Sequence, residues 1–343
     1  MVDTMTIAVS FAAGIFGAAF GALPAFILCG LFGIIGATAR MCGIAEGMPD
    51  TLTWGLLVIG CQTSFGGGIA AAAYAAKKGY IPSGRDICSG LMGLNKSDVL
   101  FVGGIFGIVG QLLFLLFNMV PNINGIAWTN TIALAVVISG CIARVIFRSQ
   151  SPFGKVKAGT SRWKPTDQAC WLPWQSKPSQ LLLIGLGMGI SSAYIITTTP
   201  DMIYMMFGIG AFGLIFMQMG GKIPVTHHIG LAAGYFAIIT GNFWWALTMG
   251  IMASYLAEFF ACIFLIHGDS HIDPPTWSLV AVFTLHPLIS LTGVLDKNPE
   301  GVLTAPAWIP VACCMVVAAS GYGALTLLRK EPIADKLAEK QAA

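Results

Sequence analysis

The chain has 343 residues, of which 56% are hydrophobic and only 10% charged, with a mean hydropathy of +0.79. A soluble domain carries roughly 25% charged residues to cover its surface, so this composition excludes a chain that faces water all round. The net charge of +3 is too small to mark a nucleic-acid surface, and the 9 cysteines contain no CxxC pair, so they announce neither a disulfide framework nor a zinc ribbon.

The long apolar runs favour spanning α-helices. A membrane β-barrel, the other spanning solution, shows alternating segments of roughly 10 residues instead. The first run follows Met1-Val2-Asp3-Thr4-Met5, an acidic start where a signal peptide is basic, so it is read as a retained helix. In chain order the expected crossings are 5–21, 23–40, 52–76, 99–119, 129–148, 180–197, 201–219, 226–241, 243–266, 276–294 and 304–328, each near the roughly 17–25 residues a spanning helix needs. Glycine and proline are frequent in such helices, so the 42 glycines and 17 prolines fit this class.

Loop charge orients the set. With the N-terminus outside, eleven alternating crossings place all of the 18 Lys and Arg except Arg40 and Lys297 on the cytoplasmic side, as the positive-inside rule requires. The expected location is the plasma membrane, in a bacterium the inner membrane, with the C-terminus cytoplasmic.

The chain divides into a first transmembrane half at 1–149, a cytoplasmic linker loop at 150–178, a second half at 179–328 and a polar tail at 329–343. The halves resemble each other weakly. GGGIAAAAYAA at 66–76 matches HHIGLAAGYFA at 227–237, pairing Tyr74 with Tyr235. Aligning Gly104 with Gly250 brings Gln111 one position from Glu258. An odd number of crossings in the first half makes this an inverted repeat, as in many transporters, with the last crossing as an extra C-terminal helix.

Candidate chemistry lies within the spans. Glu258 sits well inside 243–266, where a carboxylate costs roughly 2.5–3.5 kcal/mol on insertion scales and so seeks a partner or a water-filled cavity. Gln111 is its expected polar partner from the other half. Each half also carries a break, read as an unwound or re-entrant stretch: Thr63-Ser64 before Gly66-Gly67-Gly68, and 220–224 before Thr226-His227-His228. Thr226 is the expected N-cap of a helix whose free N–H groups point at a bound species. His267, Asp269, His271 and Asp273 form a cluster at the end of crossing nine, read as a gate or, less well, as a metal site, since the spacing matches no standard ligand motif.

No Walker A motif, dinucleotide fingerprint or GxSxG appears, and the linker is too short for a nucleotide domain. The expectation is therefore a non-enzymatic transporter or channel for a small polar solute or ion. Its pathway residues would be Glu258, Gln111, His227, His228, Thr226, Thr63, Ser64, Gly66, Gly67 and Gly68. Proton coupling through Glu258, no cofactor, and a lipid bilayer and solute as partners complete this reading, with homo-oligomerisation left open. The alternatives are an intramembrane metal enzyme built on the His/Asp cluster, or a non-transporting subunit of a membrane complex.

Overall fold

A computed structural model describes residues 3–44, 60–156, 160–164 and 169–329. The start of the expected crossing 52–76, parts of the linker and nearly all of the tail lie outside the described residues. Within them the fold is helical, with isolated bridges and no strand.

The first half contains α1 (Thr4–Phe20) and α2 (Ala22–Met41), then a π-helical turn, Cys61–Phe65, that runs directly into α3 (Gly66–Lys77). It continues with α4 (Ser97–Asn118) and α5 (Thr131–Ala143), the latter extended by a second π-turn, Arg144–Arg148. The second half contains α6 (Pro178–Thr198), α7 (Met205–Phe212), a single helical turn α8 (Ile215–Gln218), α9 (His227–Thr240) and α10 (Phe243–Phe260). A third π-turn, Ala261–Leu265, extends α10, and α11 (Pro274–Ser290) and α12 (Trp308–Leu328) follow.

Among the described residues, seven stretches are long and apolar enough to cross a membrane: Ala22–Met41, Ser97–Asn118, Thr131–Arg148, Pro178–Thr198, Pro200–Gln218, Phe243–Leu265 and Trp308–Leu328. This is the architecture of a polytopic membrane protein. Every expected crossing holds a helix, but α1, α3, α9 and α11 have 17, 12, 14 and 17 residues. At 1.5 Å per residue, α9 covers only about 21 Å, short of a hydrocarbon core of roughly 30 Å.

Packing repeats between the halves. α1 packs chiefly on α4, and α6 on α10; α3 fills the angle between α1 and α4, and α9 that between α6 and α10. α2 instead crosses over to pack on α7, and α5 reaches α11. Small residues permit these approaches. Gly30 of α2 meets the backbone of Phe212, and Gly208 of α7 meets the Gly30 carbonyl.

The tightest contacts surround the first π-turn. A π-turn frees carbonyls from the regular i→i−4 ladder. Here a Cβ on Gly17 of α1 would lie 1.8 Å from the Ser64 carbonyl oxygen, and one on Gly110 of α4 would lie 1.7 Å from that of Gln62. Two helices thus grip the turn through glycine, the small-residue packing expected where no hydrophobic effect drives helices together.

Gly17→Ala must move backbone, and overpacking of this kind costs typically 1–3 kcal/mol. Gly33→Ala, whose added Cβ would be 3.5 Å from its nearest neighbour, is close to neutral. Thermal unfolding of detergent-purified protein separates the two, with a clear fall in midpoint for the first alone.

Candidate functional site

A cavity of about 770 Å³ opens between the halves. Phe26 of α2 lines it. The Phe65 ring, closing the first π-turn, lies 5.6 Å away, and the His227 ring, opening α9, lies 4.7 Å away. The two chain breaks read from the sequence therefore meet across one aromatic side chain. Both short helices contribute a terminus to the same space, because each starts inside the bundle.

The wall is largely apolar, with Phe26, Phe207, Trp171, Trp174, Leu279 and Phe283 prominent. Its polar residues include His227, His271, Asp273 and Thr276. Asp273 caps α11. Its Oδ2 accepts from the Thr276 amide at 2.9 Å and from the Thr276 hydroxyl, while Oδ1 accepts from His271 Nε2 at 3.0 Å. His227 is 94% buried, and its Nδ1 has no hydrogen-bond partner. His228, fully buried behind it, has neither ring nitrogen paired. Thr226 occupies the expected N-cap position but its side chain caps nothing, so the start of α9 keeps its amide groups unclaimed by a side chain.

The cavity reaches toward both ends of α4. Arg85, Asp86 and Cys88, from the loop before α4, line it, and so does Asn130, from the loop after α4. Burial lowers the Arg85 guanidinium from its ordinary value. Residues 169–176 cover the Arg85 end. Gln175 pairs with the Val225 backbone in both directions, at 2.8 and 3.3 Å, and Trp174 Nε1 donates to the Ile223 carbonyl at 2.8 Å.

Other expected site residues lie elsewhere. Glu258 is buried and ion-paired with Arg329, at the end of α12. It does not line the cavity. Arg329 also donates to the carbonyls of Ser176 and Trp163. Gln111 accepts from Gln62 Nε2 at 3.3 Å, its own half supplying the partner. The expected meeting of Gln111 with Glu258 is replaced by these two separate pairs. The hydroxyls of Thr63 and Ser64 turn back to the Gly60 carbonyl. Gly66, Gly67 and Gly68 are not unwound; they form the first turn of α3. A Cβ on Gly67 would lie 2.7 Å from the Gly103 carbonyl oxygen, and one on Gly68 2.7 Å from that of Gly17. The glycines give close packing, and the irregularity falls on the π-turn before them.

The His/Asp cluster separates. His267 donates to the Arg162 carbonyl at 3.1 Å, and burial lowers its imidazole from the ordinary value. Asp269 turns outward to Gln150 and Arg148. Only His271 and Asp273 stay together. Among the described residues, no three His, Cys, Asp or Glu side chains converge as a metal ligand set.

One residue that the sequence presented only as a flanking charge holds this segment in place. Arg144 is fully buried. Its Nε donates to Ser270 Oγ at 3.0 Å, its Nη2 to the Ser270 carbonyl at 2.5 Å, and its Nη1 to the carbonyls of Pro152 and Phe264. A Cβ on Gly268 would strike the guanidinium at 2.2 Å. The clamp fixes the turn that delivers His271 and Asp273 to the cavity. The signal available in sequence was a lone arginine one turn inside an apolar run.

A model of the family of unknown function DUF7973 matches the chain over residues 1–168 and 153–303, and the chain belongs to that family. No curated protein and no solved structure matches it.

Removing one partner of a buried ion pair costs about 3–5 kcal/mol, because the other is left uncompensated. Glu258→Gln and Arg329→Gln should each destabilise strongly, and the double variant should cost less than the sum. A thermal double-mutant cycle that shows simple additivity overturns the pairing.

Proposed function

Since membership of a family of unknown function assigns no activity, the reading must come from the geometry, and we propose that the protein is a membrane transporter or channel. In this reading it crosses the plasma membrane, in a bacterium the inner membrane, eleven times with the N-terminus outside. Its cavity lies between two inverted halves and carries a small solute. The observation that supports this most is the meeting of both chain breaks at Phe26, within a cavity that draws residues from the loops at both ends of α4. Ligand sites at repeat interfaces, built from discontinuous helices, are what inverted-repeat transporters use.

Three further facts support the two-half reading. The packing of α1 with α4 and α3 is repeated by α6 with α10 and α9. The family model matches in two stretches that meet in the linker. The caps of α5 and α11 also correspond, Asn130 accepting from the Ala133 amide and Asp273 from that of Thr276.

The wall narrows the solute. Its area is mostly hydrocarbon and aromatic, with one polar group of residues at His227, His271, Asp273 and Thr276 and another at Arg85 and Asp86. Pockets of this kind hold organic molecules, using a few polar groups to fix orientation. The proposed solute therefore has an apolar body and one polar end. The ionisable groups on its route include His227, His271 and Asp273, with Arg85 and Asp86 at the end covered by 169–176. Glu258 belongs to the fastening of the lid at 169–176, through Arg329 and the Ser176 carbonyl, and proton coupling through it is not part of this reading.

A thermal-shift screen of organic acids, amines and amino acids against the purified protein identifies solutes. Binding at 100 times Kd adds about 2.7 kcal/mol of stability. Leu279→Trp, which fills the cavity from α11, should abolish that stabilisation and cut proteoliposome uptake at least tenfold while the protein still folds. Uptake at the original rate in a folded Leu279→Trp protein would sink the proposal.

A further inference from the structure

The charged groups that line the cavity are not equally engaged. Asp273 accepts from His271 and from the amide and hydroxyl of Thr276, and it caps α11, where the helix dipole favours a negative group. Asp86 accepts from the amides of Cys88 and Ser89, both at 3.0 Å. Arg85 stands apart. Among the described residues it enters no ion pair. Its guanidinium makes one long hydrogen bond, from Nη2 to the Ala169 carbonyl at 3.4 Å. A guanidinium carries five N–H donors, so most of this one's capacity is unspent, although the residue is half-buried.

Its place in the fold is tightly set. The His271 amide donates to the Gly84 carbonyl at 3.2 Å, and a parallel bridge joins Gly84 to Ser270. A Cβ on Gly84 would lie 2.6 Å from the Asp269 carbonyl oxygen, so glycine permits the approach. The loop that carries Arg85 is thereby stitched to the turn that carries His271, one from each half. Each of the two directly follows a bridged residue, and side chains alternate in direction along extended backbone. Ser270 faces Arg144, while Arg85 and His271 both line the cavity. Ala169, which Arg85 touches, begins the lid at 169–176, and Trp171 and Trp174 of that lid line the cavity as well.

We propose that Arg85 is the counter-ion of an organic monocarboxylate held in the cavity, with the apolar body of the acid against the aromatic wall. This rests on the reading of the cavity as a solute site and names the polar end of that solute.

The head group follows from the donors. A carboxylate is planar and matches the guanidinium fork with two parallel N–H···O bonds. A phosphate monoester would bring a second negative charge, and among the described residues no other arginine or lysine lines the cavity. An ammonium head would meet a like charge at Arg85, and Asp86 and Asp273 already spend their oxygens on the chain itself. The body follows from the wall, where Phe26, Phe207, Phe283 and the two lid tryptophans offer aromatic faces to a ring or chain. In apolar surroundings a charge-assisted pair gains strength, and a charge without a partner costs more. An anion at Arg85 answers both.

The test uses the full chain in detergent and one apolar body with three heads: phenylpropionate, phenylpropanol and phenylpropylamine. Isothermal titration should show the acid bound about tenfold or more tightly than the alcohol or the amine, the scale of a hydrogen bond to a charged group. Arg85→Gln should remove that preference, weakening the acid while the alcohol keeps its affinity. Arg85→Lys should restore part of it, since the charge returns without the fork. Palmitate delivered in micelles, set against phenylpropionate from water, tells whether the acid comes from the lipid leaflet or the aqueous phase; binding of either supports the class. Failure of both acids to bind overturns the proposal. So does an alcohol or amine bound as tightly as the acid, or a folded Arg85→Gln protein that still prefers the acid. Should Arg85→Gln fail to fold, the comparison of heads on the natural chain still decides. Proteoliposome uptake separates this proposal from the transport reading. Acid binding through Arg85 without uptake counts against transport alone. Uptake of the alcohol or amine that exceeds that of the acid and survives Arg85→Gln counts against the carboxylate alone.

Discussion

The carbonyl oxygens of Gln62 and Ser64 press against glycines on either side, and much of the molecule follows from that contact. The π-turn they belong to cannot satisfy its backbone in the regular way, and a membrane interior offers no water to compensate. Gly17 and Gly110 remove the side chains that would otherwise hold α1 and α4 away. With the turn pinned from both sides, Phe65 and Cys61 face inward, Phe26 closes on Phe65, and the start of α9 finds Phe26 from the other half. A cavity with aromatic walls is the space left when these constraints are met together.

Charge is used sparingly and for assembly. Arg144 spends its guanidinium on Ser270 and the carbonyls of Pro152, Phe264 and Ser270. Arg329 joins Glu258 to the carbonyls of Trp163 and Ser176. Arginine suits both places because its planar fork stays charged and reaches several acceptors at once. Buried pairs of this kind are weak evidence for stability, yet they are intolerant of losing one member. Here they fix where the linker and the turn before α11 sit, so they determine the shape of the cavity without touching what occupies it.

The helical class and the approximate positions of the α-helices were legible in hydropathy, because a span must be apolar over its whole length. The breaks near Ser64 and His227 were legible too, since glycine and proline punctuate helices. What the pattern could not distinguish was an unwound stretch from a close contact: Gly66, Gly67 and Gly68 serve the second. Glu258 was visible as a buried carboxylate, but its partner, Arg329, is 71 residues away in the sequence and looked like the first residue of a tail. Gln111 found Gln62 in its own half, a pairing that local sequence does not announce.

The last helix leaves its own mark on how the molecule is made. α12 lies at the edge of the bundle, with Met315 and Val316 67% and 64% exposed, yet Arg329, the residue directly after it, supplies the counter-ion of Glu258. During synthesis α10 emerges long before Arg329 does. Until then the carboxylate sits in a nearly finished bundle without its partner, and the linker carbonyl at Ser176 is likewise unclaimed. Closure of the bundle therefore waits on Arg329, and a chain released before that residue leaves Glu258 without its counter-ion.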